Sequence, residues 1–370
     1  MNIYADENMP LVREFFADLG EVTTFDGRNV QAEVLREADI LLVRSVTPVN
    51  ASLLSQNNRL RFVGTATIGT EHVDTDYLAS RQISFSSAPG CNAQSVLEYV
   101  LSSLWFLAER YQWSLPHKVL GIVGVGSIGQ RLATAAKALG IPLLLCDPLR
   151  AAQEADFPHT DFATLCQQAD IISFHTPLEK NGPYPSYHLL DAEHLALLKP
   201  DCALINASRG AVIDNQALLT AQQRKRRPLV LDVWEQEPDI LLPLLPYCDL
   251  ATAHIAGHSV EGKARGTEML YQRCCELLQQ QPRVSLAALL PVPAMEKLQL
   301  SANFGLPDVQ NLARMLYDVR RDDALFRYHI TGNGFDWLRK SYPARREYSA
   351  LQLSGPALPA WLDSLGFSRQ

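Results

Sequence analysis

The chain has 370 residues, 47% of them hydrophobic and 20% charged, and a formal net charge of -7. That length supports two or three domains with sizeable cores, that composition excludes a disordered chain, and the negative charge excludes an overall electrostatic footprint for nucleic acid or an anionic membrane. The seven cysteines show no Cys-x-x-Cys pair and no zinc spacing, no apolar run is long enough to span a bilayer, and the opening Met1-Asn-Ile-Tyr-Ala-Asp-Glu7 lacks the parts of a secretory signal; we expect buried reduced thiols, no metal, no membrane partner and a cytoplasmic location.

Through residue 92, short apolar runs alternate with helical patterns. Strands are expected at 2–5, 21–25, 39–43, 60–63 and 83–85, and a helix over 11–19 that ends at Gly20. This is the pattern of a small α/β unit with a parallel sheet. Polar residues follow two of the runs: Arg44 and Ser45 after one, and Gly64-Thr-Ala-Thr-Ile-Gly-Thr70 after another. In open α/β sheets, ligands gather at such carboxyl ends.

A helical pattern over 92–110, with Val96, Leu97, Val100, Leu101, Leu104 and Leu107 on one broad face, connects to the stretch 118–133. That stretch reads as strand, tight turn and helix, with Gly124-x-Gly126-x-x-Gly129 at the turn. Gly124 permits the turn, Gly126 removes a side chain where a pyrophosphate would lie, and Gly129 brings the helix close to the strand. Ser127, Ile128 and Gly129 open a helix whose N–H groups can face phosphate. A second apolar strand at 142–147 ends on Asp147, about twenty residues beyond the glycines, where a carboxylate accepts hydrogen bonds from ribose hydroxyls and repels a 2′-phosphate. The cofactor expected is therefore NAD. Further strands at 170–175, 202–206, 228–233 and 250–254 bring the second sheet to six.

Three polar settings stand at the ends of those later strands: Asn206-Ala-Ser-Arg209-Gly, Asp232-Val-Trp-Glu-Gln-Glu237-Pro and His254-Ile-Ala-Gly257. A 2-hydroxy acid oxidised by hydride transfer needs a cation for its carboxylate and a base for its hydroxyl proton. Arg209 supplies a bidentate guanidinium, His254 supplies an imidazole, the side chain suited to act as a base near neutrality, and Glu237 would hold the far nitrogen of that imidazole. Asp191 and Asp214 stand just before helical patterns and read as N-caps, whereas His188 and the other histidines read as surface or packing residues. A helix over 260–280 would return the chain to the first unit. Beyond 281 we expect a separate α+β domain, with a helix at 309–319, a strand at 326–330 and a turn at 331–334.

At these residues the chain resembles the D-isomer-specific 2-hydroxyacid dehydrogenase family, whose glycine fingerprint, Ser-Arg-Gly, Asp-Val-x-x-x-Glu-Pro and His-x-x-Gly match it in order and spacing over residues 1 to about 280. The resemblance implies that Arg209, Glu237 and His254 are catalytic, that Asp232 contacts the nicotinamide side, and that Thr176, Ala207 and Gly257 line the cofactor with the glycine loop. The segments 5–10, 43–48, 64–70 and 254–263 resemble one branch of the family, which acts on a phosphorylated four-carbon hydroxy acid and dimerises through an extra C-terminal domain. That likeness implies Ser45 and Thr67 as substrate contacts, and also His258, where the branch often has tyrosine. From its place at a strand end, Arg44 is expected to meet the substrate phosphate, with Arg345 or Arg346 as other cations for that role.

The implied architecture is α/β: two Rossmann-like doubly wound parallel-sheet domains and a small C-terminal α+β domain. Residues 1–92 and 257–280 form the substrate domain, 93–256 the NAD-binding domain, and 281–370 a domain that makes a homodimer. Other substrates within the family are 3-phosphoglycerate or an unphosphorylated D-2-hydroxy acid. Another class is an NAD-sensing corepressor-type scaffold, against which the intact set Arg209, Glu237 and His254 argues.

Overall fold

Short β-branched and leucine-rich runs, buried on both faces, pair in parallel because helical crossovers cover each side. In the computed structural model, which describes all 370 residues, they form two units: Met1–Asn92 with Ser259–Val292, and Ala93–His258 with Pro293–Gln370.

The first unit holds β1 (Asn2–Asp6), β2 (Glu21–Phe25), β3 (Ile40–Val43), β4 (Phe62–Thr65) and β5 (Ser84–Ser86) in the order β2-β1-β3-β4-β5, all parallel. Register sets Val43 beside Thr65, so Arg44 and Ser45 leave the sheet next to the stretch 66–70. The helix Val260–Leu277 closes this unit. Its Leu270, Tyr271 and Cys274 share a core with Phe15, Phe16 and Phe62.

The second unit holds β6 (Leu120–Val123), β7 (Leu143–Cys146), β8 (Ile171–Phe174), β9 (Ala203–Asn206), β10 (Leu229–Leu231) and β11 (Leu250–Ala251), in the order β11-β10-β9-β8-β6-β7. A parallel bridge from Leu145 to His159 adds a stub beyond β7. Strand order reverses between β6 and β8, and in an open parallel sheet that point is where a ligand crevice opens. All six expected strands are present. The seven cysteines are buried and free. No helix is long and apolar enough to cross a membrane.

The C-terminal stretch departs from expectation in three ways. Residues 293–370 share one unit with 93–258 instead of standing apart, because their apolar residues complete its core: Leu312, Leu353 and Leu365 pack with the helices Ala93–Arg110 and Ser127–Ala138, and Phe326 stacks on Trp234 with centroids 5.6 Å apart. Cutting the chain after residue 281 would therefore strip the cover from the dinucleotide unit. Where a strand was expected at 326–330, the structure has the helix Val319–His329, started by the Asp318 side chain accepting the Arg320 N–H; five residues with aromatics alternate like a strand, but buried Val319, Asp322 and Phe326 keep helical spacing. Three strands too short to read from sequence, β12 (Lys297–Gln299), β13 (Gln352–Ser354) and β14 (Ser368–Arg369), make a small parallel sheet.

Candidate active site

The glycine loop has the geometry of a phosphate cradle. Gly124 has φ +85°, and a Cβ there would meet the His175 carbonyl at 2.8 Å; at Gly129 one would meet the Gly124 oxygen at 2.0 Å, so helix and strand lie too close for any side chain. A Cβ on Gly126 meets nothing within 4 Å, which leaves open space over the turn. The helix Ser127–Ala138 starts there without a side-chain cap, so its first N–H groups remain available to an anion. Beside the loop, the Thr176 hydroxyl oxygen and His175 Nδ1 are shielded from water with no hydrogen-bond partner. Burial pushes the His175 imidazole down to about 3, so that ring is neutral. These orphaned groups and the uncapped helix fit a dinucleotide.

Asp147 ends β7 and works at two places. Its Oδ2 accepts the Val125 N–H at 2.8 Å, clamping the glycine loop, and its Oδ1 accepts the Arg150 N–H at 3.0 Å, capping the next helix.

At the ends of β9, β10 and β11, the side chains of Asn206 and Asp232 tie the loops to their own backbone. Asn206 Oδ1 accepts from the Ser208 N–H and hydroxyl, while its Nδ2 donates to the Arg209 carbonyl at 3.0 Å. A Cβ on Gly210 would overlap the Trp234 carbonyl, so the Arg209 turn rests directly on the Trp234 backbone. Asp232 is buried, and its carboxylate accepts from the Thr252 hydroxyl at 2.7 Å, the Ile255 N–H at 2.8 Å and the Ala256 N–H at 2.9 Å. Those bonds pull the chain tightly round His254, which takes φ 55°, a region in which histidine is more tolerable than most residues.

That turn sets His254 Nδ1 2.8 Å from Glu237 Oε2, and Glu237 Oε1 accepts the Trp234 N–H at 2.8 Å. Burial opposes ionisation of Glu237, but His254, these hydrogen bonds and the Arg339 guanidinium outweigh it and hold the carboxyl below its ordinary value. With Nδ1–H committed to a carboxylate, Nε2 is left with its lone pair, as a base requires. The His258 ring packs edge-on against Tyr342 at 5.8 Å, a partner the sequence did not reveal. A cavity of about 80 Å³ behind this loop, lined by Ala253, Ile255, Phe326 and Tyr342, is far smaller than a dinucleotide.

In the first unit, Arg44 Nη1 donates to the Asn8 carbonyl at 3.3 Å, and Thr67 donates to the Gly69 carbonyl at 2.9 Å. Arg345 is buried, so it is not available for the phosphate. His188, expected on the surface or in packing, is half-buried and hydrogen-bonds Glu235 through Nε2 at 2.8 Å, with Nδ1 3.7 Å from Asp214. Asp191 and Asp214 cap helices as expected.

Residues 93–256 match the family model described as D-isomer specific 2-hydroxyacid dehydrogenase, NAD binding domain, and residues 289–366 match a domain of unknown function. The erythronate-4-phosphate dehydrogenase of Pseudoalteromonas translucida is 51% identical over 370 residues, spanning 100% of this chain and 99% of that protein. The chain belongs to the D-isomer specific 2-hydroxyacid dehydrogenase family. The enzyme of the same name from Tolumonas auensis is 50% identical, again across 100% of this chain and 99% of its own length. Among solved structures, D-lactate dehydrogenase from Aquifex aeolicus, complexed with NAD and lactic acid, superposes with a TM-score of 0.62 at 25% identity, covering 75% of this chain and 96% of that one. The NAD-bound 3-phosphoglycerate dehydrogenase of Entamoeba histolytica shares the fold at a TM-score of 0.65 and 19% identity, over 77% of this chain and 98% of its own.

Proposed function

We propose that this protein oxidises 4-phospho-D-erythronate at C2 to the 2-oxo acid, with NAD as hydride acceptor, in the route to vitamin B6. The observation that carries the reading is the Glu237–His254 pair at 2.8 Å, standing on the same unit as a glycine loop fit for a dinucleotide. Full-length likeness to relatives named for that reaction supports the substrate.

In this mechanism Arg209 binds the substrate carboxylate and polarises the C2 oxygen. His254 Nε2 takes the hydroxyl proton as hydride leaves C2, and Glu237 stabilises the imidazolium that forms. Gly124, Gly126, Ser127, Ile128, Gly129, Asp147, Thr176, Ala207, Asp232 and Gly257 would hold NAD, which would supply the hydride acceptor. The reading also carries Ser45, Thr67 and His258 as substrate contacts and Arg44 as the partner of the substrate phosphate. A homodimer is part of the reading, with the exposed Leu306, Met315 and Tyr328 of the C-terminal stretch as candidates for its contact.

The test is NADH formation from a panel of acids. Turnover of 4-phospho-D-erythronate, with 3-phosphoglycerate and unphosphorylated erythronate at least about a hundredfold slower in kcat/KM, is the expected result, since the phosphate contributes charge-assisted binding. Equal use of the unphosphorylated acid overturns it. Arg44→Ala should raise KM for the phosphorylated acid by about 10–100-fold.

A further inference from the structure

Three loops leave the carboxyl ends of β8, β9 and β10, and each brings one metal-ligating side chain to the same place: His188, Asp214 and Glu235. His188 Nε2 lies 2.8 Å from Glu235 Oε1, and its Nδ1 lies 3.7 Å from Asp214 Oδ2. One ligand atom from each side chain stands within 4.8 Å of the other two. All three residues are half-buried, so water can complete a coordination shell.

The loops present these atoms by spending the others. Asp214 Oδ1 accepts the Gln216 and Ala217 N–H groups at 3.0 and 2.9 Å, capping the helix Asn215–Arg224, which leaves Oδ2 for the imidazole. Glu235 Oε2 accepts the Asn215 N–H at 3.2 Å, and the Glu235 N–H donates to Asn215 Oδ1 at 3.2 Å, which leaves Oε1. The His188 N–H donates to the Ala211 carbonyl at 2.7 Å, the bridge from Leu190 to Ile213 continues that pairing, and the Tyr187 ring stacks on the imidazole at 4.0 Å. Outer contacts of this kind orient metal ligands.

Charge points the same way. Neither carboxylate pairs with a lysine or arginine; the imidazole alone stands between them. A proton on the ring offsets one of the two negative charges, whereas a divalent ion on the neutral ring offsets both. One imidazole nitrogen with two carboxylate oxygens suits a borderline transition ion such as zinc better than magnesium or calcium, which seek oxygen alone. Three atoms no more than 4.8 Å apart leave a point within about 2.8 Å of each, so inward shifts of under about 1 Å reach zinc bond lengths of about 2.0–2.2 Å.

We propose that His188, Asp214 and Glu235 bind a divalent transition-metal ion of the zinc class, with water in the remaining position, and that the ion clamps the three loops together. Binding sends any proton on the ligating nitrogen to solvent and transfers no electron. The site does not depend on the reaction proposed above. Its ligands stand too far apart in sequence for a spacing motif, which is why no metal was expected.

The test uses the full chain, stripped with EDTA and then dialysed against zinc or cobalt(II). About one zinc per chain should be retained at roughly micromolar free metal, and zinc should raise the melting temperature. Cobalt should give the visible bands of a nitrogen–oxygen set without sulfur charge transfer, since the seven thiols are buried. Magnesium and calcium should bind at least about a hundredfold more weakly. His188→Asn tolerates the φ of 50° found there, and Asp214→Asn keeps a helix cap, so both should fold. Each should weaken zinc by at least about tenfold. No zinc retained by the wild type, zinc held as tightly by either variant, or cobalt bands dominated by sulfur overturns the site and leaves His188 as a hydrogen-bonded partner of the carboxylates only.

Discussion

Asp232 and Ile255 are joined by a 2.8 Å hydrogen bond from the Ile255 N–H to Oδ1, and through it a buried carboxylate shapes the turn that carries His254. Replacing Asp232 by Asn puts an amide N–H₂ where backbone N–H groups now donate, so at least one buried donor loses its acceptor. The expected cost is about 1–3 kcal/mol of stability. Turnover should fall by more than the folded fraction does, because His254 loses its place. Denaturant melts run beside kinetics separate the two effects; a destabilised protein with full turnover per folded molecule would show that the turn does not depend on Asp232.

His254→Asn keeps a residue that tolerates the φ of 55° found there, so the loop should survive. Only the proposed base is lost. Turnover should drop by about 10²–10⁴ with NADH affinity nearly unchanged. Glu237→Gln retains a carbonyl for the Trp234 N–H but removes the anion that stabilises the imidazolium, so the acid limb of the pH–rate profile should move to lower pH. A limb that stays in place would mean that the 2.8 Å contact does not operate during turnover.

Some of this was legible in the sequence for physical reasons. Gly124 and Gly129 are required by a positive φ and by close backbone contact, needs that few other residues meet, so the cradle could be read directly. Strands buried on both faces leave long apolar runs, and all six of the second sheet were visible. What escaped depends on partners distant in sequence. Nothing near Asp232 marks it as the acceptor for N–H groups 23 and 24 positions away, and nothing in His188, Asp214 and Glu235 shows that they converge. Nothing around Leu312 tells which helices it packs against.

We expect cofactor choice to turn on Asp147. Its two oxygens hold the Val125 and Arg150 N–H groups, so Asp147→Ala loosens the glycine loop and removes a helix cap as well as a negative charge. The cap alone is worth about 1 kcal/mol. NADH should bind more weakly while NADPH gains relative to it, as read by fluorescence titration of both cofactors. An unchanged NADH-to-NADPH ratio would mean that the carboxylate acts only as a clamp.

The buried charges beneath the C-terminal stretch make folding itself depend on pH. Glu98, on the helix Ala93–Arg110, has no exposed surface; its Oε1 accepts from Gln94 at 3.0 Å and from the Tyr348 N–H at 2.7 Å, and its Oε2 lies 3.7 Å from Arg345. Burial pushes its carboxyl up to about 8, with Arg345 pulling it down and the buried Glu347 pushing it further up. The unfolded chain releases this proton in the ordinary carboxylate range, whereas the folded chain keeps it to about 8. Between those limits the folded state binds more protons, so stability declines as pH rises across the window. Glu98→Gln preserves the acceptor for Tyr348 and removes the titration. Arg345 keeps the Ser95 hydroxyl at 3.0 Å and the face of Tyr317 at 3.8 Å, so its charge is not stranded. Urea unfolding at pH 6 and pH 8.5 should show the wild type losing on the order of 1 kcal/mol or more over that interval, and Glu98→Gln losing less. Parallel slopes in the two proteins would place the carboxylate, already ionised at pH 6, in a stable ion pair with Arg345.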